Sequence, residues 1–100
     1  MRHELRSHSP ETMYWYYLLH DGDRIIHVGI NQISEGQFAW NTSLLRPGVW
    51  GKQWPSAEYA RMAKPFELRG ELEAPTLDNA LAYIEERMHH VQAGTDHDNL

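Results

Sequence analysis

The chain has 100 residues, 41% of them hydrophobic and 23% charged, which supplies one core and leaves too little for a two-domain enzyme. No run approaches the roughly 20 apolar residues that span a bilayer, and the lack of cysteine excludes disulfides, thiolate zinc sites and thiol nucleophiles, so the expected compartment is the cytoplasm. A formal net charge of -5 argues against a generic nucleic-acid coat, which needs many cations facing phosphate.

Residues 1–12 alternate charged, histidine and serine side chains without apolar periodicity or a signal-type apolar stretch, and read as a mobile N-terminal tail. The strongest local pattern follows. Met13 to His20 and Arg24 to Asn31 flank Asp21-Gly22-Asp23, and because Asp-Gly favours a tight type I′ turn, a β-hairpin is expected. With Asp21 and Gly22 as the loop, Tyr17 faces Ile26, Trp15 faces Val28 and Met13 faces Ile30 on the core side. The opposite side then carries Tyr14, Tyr16, Leu18 and His20 against Gly29, His27, Ile25 and Asp23, with Tyr14 able to lie across bare backbone at Gly29. A loop at Gly22-Asp23 shifts the pairing by two and keeps every side chain on its face.

Gln32 to Gly36 is a polar link to a third strand, Gln37 to Leu45, in which Phe38, Trp40, Thr42 and Leu44 alternate with Ala39, Asn41 and Ser43. Arg46-Pro47-Gly48 ends it. An excursion through Trp50, Gly51 and Trp54-Pro55 leads to a short helix, Ala57 to Ala63, capped by Ser56 and stopped by Pro65. Phe66 to Glu73 alternates as a half-buried strand, with Phe66, Leu68 and Leu72 inward and Glu67, Arg69, Glu71 and Glu73 outward. Thr76 then caps a helix whose Leu77, Ala80, Leu81, Ile84, Met88 and Val91 share one stripe; Gly94 stops it, and residues 95–100 read as a second mobile tail. The expected architecture is α+β. Residues 13–94 form a single domain: a four-stranded antiparallel meander, one C-terminal helix packed on one face, and a short helix in the loop before the last strand.

Seven histidines raise the question of a metal. His3, His8 and His97 fall in the expected tails, His89 and His90 diverge by about 100 degrees round a helix, and Glu85 with His89 or Glu86 with His90 has the spacing of an ordinary ion pair, so no metal site is assigned. His20 and His27 lie on the tyrosine face, where either a hydrogen bond to a neighbouring tyrosine or a contact in a binding surface is open to them. No Gly-rich phosphate loop, nucleophile elbow or His-Glu-x-x-His helix is present, and Glu71 and Glu73 sit in a charged row that expects water. The chain is therefore not expected to be an enzyme. Between Arg46 and Lys64, four cations against Glu58 alone are interleaved with Trp50, Trp54 and Tyr59. That composition suits single-stranded nucleic acid or a protein hot spot, and equally tryptophans packed under a loop. Residues 67–100 carry eight acids against Arg69 and Arg87, so the molecule is electrically two-sided, and its acidic end matches a basic groove on a nucleic-acid-handling partner.

Tyr17 to Ile30 resembles the opening hairpin of GIY-YIG nucleases, with His27-Val28-Gly29 where that family has Tyr-Ile-Gly; the helix with a catalytic arginine that follows in the family has no counterpart in Gln32 to Leu45. Leu68 to Glu85, a strand running through a Pro-Thr cap into a helix with alanine in its core, resembles a module of small orphan proteins of phages and mobile elements, anti-CRISPR proteins among them. That resemblance implies a stoichiometric inhibitor covering a surface of a bacterial defence or replication machine. HicB-type antitoxins place strands before a similar helix but carry a DNA-binding segment for which this chain has no room. The resulting expectation is a non-enzymatic protein that occludes a protein partner through Tyr14, Tyr16, His27, Trp50, Lys52 and Trp54, with no cofactor and no metal. An antitoxin or immunity protein, a nucleic-acid-binding domain and a GIY-YIG-like nuclease are the alternatives, and a homodimer through the tyrosine face is a further arrangement.

Overall fold

The computed structural model describes residues 1–22, 24–47, 61 and 63–98. Strands β1 (Arg2–Ser9), β2 (Tyr14–Asp21), β3 (Arg24–Ser34), β4 (Gln37–Pro47) and β5 (Arg69–Glu73) form one antiparallel sheet in chain order, and helix α1 (Leu77–Asp98) packs on one face of it. Side-chain alternation decides which face. Leu19, Ile26, Val28 and Ile30 point toward the helix and are fully buried with Ile84 and Met88 of α1, while Phe38, Trp40 and Leu44 extend the same layer along β4.

Between β2 and β3, Asp21 lies opposite Arg24, Tyr17 opposite Val28 and Trp15 opposite Ile30, which is the second of the two registers, and the faces are those expected. Gly22 sits at φ +59°, which glycine takes without a steric penalty. The next connection is tighter than the expected polar link: β3 runs to Ser34, paired with Gln37 across Glu35-Gly36. Trp40 lies against Gly70 of β5, where a Cβ would stand 3.3 Å from the indole and push it back by a few tenths of an ångström, so the close packing of ring on backbone favours glycine there.

Three expectations are corrected. Residues 1–12 are not a tail, because Arg2–Ser9 forms β1 and the sheet has five strands, not four. An edge strand pairs on one side only and needs no buried apolar row, which is why its polar sequence gave no alternation. Strand β5 starts at Arg69 rather than Phe66, since Lys64–Phe66 forms a 3-10 turn that contains Pro65 instead of ending before it. Arg61 and Ala63 have helical backbone, and the remainder of the helix expected over Ala57 to Ala63 lies outside the described residues. Finally, α1 passes through Gly94 to Asp98. A glycine inside a helix costs only about 1 kcal/mol, and no proline follows to enforce a stop.

Thr76 caps α1 as expected. Its Oγ1 accepts from the Asn79 backbone N–H at 3.2 Å and donates to Asn79 Oδ1 at 2.7 Å, so the third helical residue answers the cap. Thr76→Ala is expected to cost about 1 kcal/mol in thermal or chemical denaturation, and Thr76→Ser to restore most of it.

Candidate functional site

Helix α1 covers one face of the sheet; over the other, no described element lies. Strand β2 sends Tyr14, Tyr16 and Leu18 to this open face and β3 sends Ile25, His27 and Asn31, all half-buried. Cross-strand pairing places Tyr16, Gly29, Asn41 and Arg69 in one row over four strands. Gly29 is the bare floor. A Cβ there would lie 2.5 Å from the Tyr14 hydroxyl oxygen and 3.2 Å from the Asn41 side-chain amide, so the Tyr14 ring crosses diagonally from its own partner Asn31 onto the glycine. Asn31 Nδ2 in turn donates to the backbone carbonyls of Thr12, at 2.7 Å, and Met13, at 3.2 Å, fixing the β1–β2 turn beside Tyr14.

Tyr16 meets His27 edge-on, with ring centroids 5.2 Å apart. Burial, and then the neighbouring Tyr14 phenol, push the Tyr16 hydroxyl above its ordinary 10.0, while burial pulls His27 below 6.5. Both are therefore uncharged at neutral pH. Since folding favours the neutral imidazole, the stability His27 contributes is complete above 6.5 and is lost as the pH falls through its lowered value.

Beside Tyr14 the face hollows into a cleft of about 560 Å³ lined by Asn31, Asn41, Arg69 and Glu71. Tyr14, Asn41 and Arg69 make no side-chain hydrogen bond or ion pair among the described residues, so a phenol, an amide and a guanidinium are open to solvent or to a bound group. The surface thus combines aromatic faces for apolar contact with polar edges for orientation.

Of the expected contact residues, Tyr14, Tyr16 and His27 share this face, whereas Trp50, Lys52 and Trp54 lie outside the described residues. His20 turns to Glu4 of β1 at 2.8 Å rather than to a tyrosine. Glu86 Oε1 lies 3.1 Å from His90 Nε2 one helical turn on, and among the described residues no three His, Asp or Glu side chains converge as metal ligands. Where GIY-YIG nucleases have a helix after the hairpin, this chain forms β4. Asn31, Asn41 and Arg69 were missed as site residues. Alternation puts Asn41 and Arg69 outward, but bringing them beside the tyrosines requires the β3–β4 register, which shifts at Ile25/Ile26 and again at Gln32/Ser34.

Comparison of the chain with protein-family models, curated proteins and solved structures finds no match. Among the described residues, no helix is long and apolar enough to cross a membrane.

Proposed function

We propose that this is a small non-enzymatic binding protein that occludes a surface of a protein partner with the open face of its sheet. The observation carrying this reading is the half-burial of Tyr14, Tyr16, Leu18, Ile25 and His27 on a face over which no described element lies. Tyrosine offers a large contact area with few rotatable bonds and is enriched among residues that dominate binding free energy. A net charge of -5, with Glu67, Glu71 and Glu73 exposed along the border of the face, favours a basic partner such as a nucleic-acid-handling complex. The narrower proposal of a phage-encoded inhibitor of the anti-CRISPR kind rests on the sequence resemblance of Leu68 to Glu85 alone.

The test is affinity purification from the native host with paired variants. Tyr14→Ala with Tyr16→Ala, checked by an unchanged circular dichroism spectrum, is expected to weaken capture of the partner about tenfold or more, whereas Glu86→Gln on α1 leaves it unchanged. Equal capture by the wild type and the tyrosine variant removes this face from the function. Sedimentation of the isolated chain separates a foreign partner from a second copy seated on the same face.

A further inference from the structure

Strand β1 is attached unlike its neighbours. None of its side chains is buried, and Leu5, its one large apolar residue, is 52% exposed. Apart from the backbone ladder to β2, its fixings are polar or aromatic. On the helix side, His3 Nδ1 lies 2.9 Å from Glu85 Oε1 of α1, and the His3 ring stands edge-on to Tyr17 with centroids 5.9 Å apart. On the open side, Glu4 Oε1 lies 2.8 Å from His20 Nε2 of β2, while Glu4 Oε2 accepts from Arg6 Nη1 at 3.0 Å. His8 stacks flat on Trp15 at 4.8 Å. The geometry points to β1 as a releasable edge strand, latched by one histidine–carboxylate pair on each face of the sheet and therefore governed by pH.

An imidazolium donates from both nitrogens and attracts a carboxylate, whereas a neutral imidazole has one donor and no charge. Each latch is accordingly strongest where the carboxylate is ionised and the facing imidazole protonated, and loses its charge–charge part when either condition fails. On the acid side, the hydrogen bonds from His20 and then Arg6 hold Glu4 below its ordinary 4.5, so its contribution is complete above 4.5 and is lost as the pH falls through the depressed value. Among the described residues, His3 meets Tyr17 from β2 and Glu85 from α1, and the Asp78 carboxylate of α1 acts on that same Tyr17. Around Glu4 and His20 they are Arg6, Arg2 opposite His20, and Asp21 next along β2; from β3, His20 faces the uncharged Ile25. His27 on β3 responds in the opposite sense, so the readout must be local to β1. Release uncovers the outer edge of β2, whose Tyr14–Leu19 stretch is aromatic, aliphatic and uncharged, a ready template for an added strand. The latch stands independently of the binding role of the open face.

Backbone-amide hydrogen exchange on the full chain, corrected for intrinsic rates and compared at about pH 5.5 and 8, tests it. Relative to β3, the β1 amides bonded to β2 are expected to be about three- to tenfold better protected at the lower pH. The variant His3→Gln with His20→Gln, whose side chains donate without titrating, is expected to lose this pH response while β1 stays paired. Protection of β1 that tracks β3 in the wild type, or a pH response that survives in the glutamine variant, overturns the proposal.

Discussion

Ile84→Ala is expected to lower the unfolding free energy by about 3 to 4 kcal/mol, a large part of the total stability of a small domain. Ile84 is 0% exposed in α1 and belongs to the same buried cluster as Leu19, Ile26, Val28 and Ile30, each also at 0%. Truncation removes apolar area that only the sheet beneath it can cover, and β2, β3 and β4 cannot close the gap because each is held by ladders on both sides. The cavity therefore persists, and its cost adds to the lost transfer free energy. Urea denaturation with an unchanged slope checks this, and Ile84→Val, which removes one methylene, should cost only about 0.5 to 1.5 kcal/mol. A loss below about 1 kcal/mol for Ile84→Ala would mean that α1 is not seated on the sheet in this way.

Thr42→Val is expected to cost about 2 kcal/mol although it preserves the shape of the side chain. Thr42 is buried in β4, and its hydroxyl donates to Phe66 O at 2.7 Å and accepts from Leu68 N at 3.3 Å, while its own N–H donates to Leu68 O at 2.8 Å. One residue thus joins β4 to the turn from which β5 starts. Arg24 from β3 lies over the Phe66 ring at the same junction, 5.9 Å from its centroid. Valine fills the volume but takes one partner each from the Phe66 carbonyl and the Leu68 amide, which keep only their mutual 3.1 Å bond there, so the loss reports hydrogen bonding rather than packing. Thr42→Ser, which keeps the hydroxyl and drops a methyl, separates the two terms by equilibrium denaturation. If serine and valine cost the same, the hydroxyl is not what holds β5.

The hairpin, the two faces of β2 and β3, the outward row of β5 and the Thr76 cap were all legible, because each follows from side-chain period or from a local backbone–side-chain bond. Register was not. Both candidate loops keep Tyr14, Tyr16 and His27 on one face, and the apolar pattern cannot tell them apart. Strand β1 escaped because its residues satisfy a ladder and two carboxylate pairs without burying anything, so no hydrophobic signal exists to find. The cleft beside Tyr14 depends on residues from four strands, and its assembly is set by tertiary pairing alone.

Every strand pairs with its neighbour in chain order, and that ordering governs how the chain assembles. The short connections between Asp21 and Arg24 and between Ser34 and Gln37 let β2, β3 and β4 zip together with little loop entropy, whereas joining Asn41 to Arg69 closes a much longer loop whose cost grows only with the logarithm of its length. Loop-closure entropy therefore favours nucleation at the central hairpins over the long closure that brings in β5. Until α1 arrives, Leu19, Ile26, Val28 and Ile30 face water, and that interval is when the young molecule is most vulnerable to clumping with others of its kind.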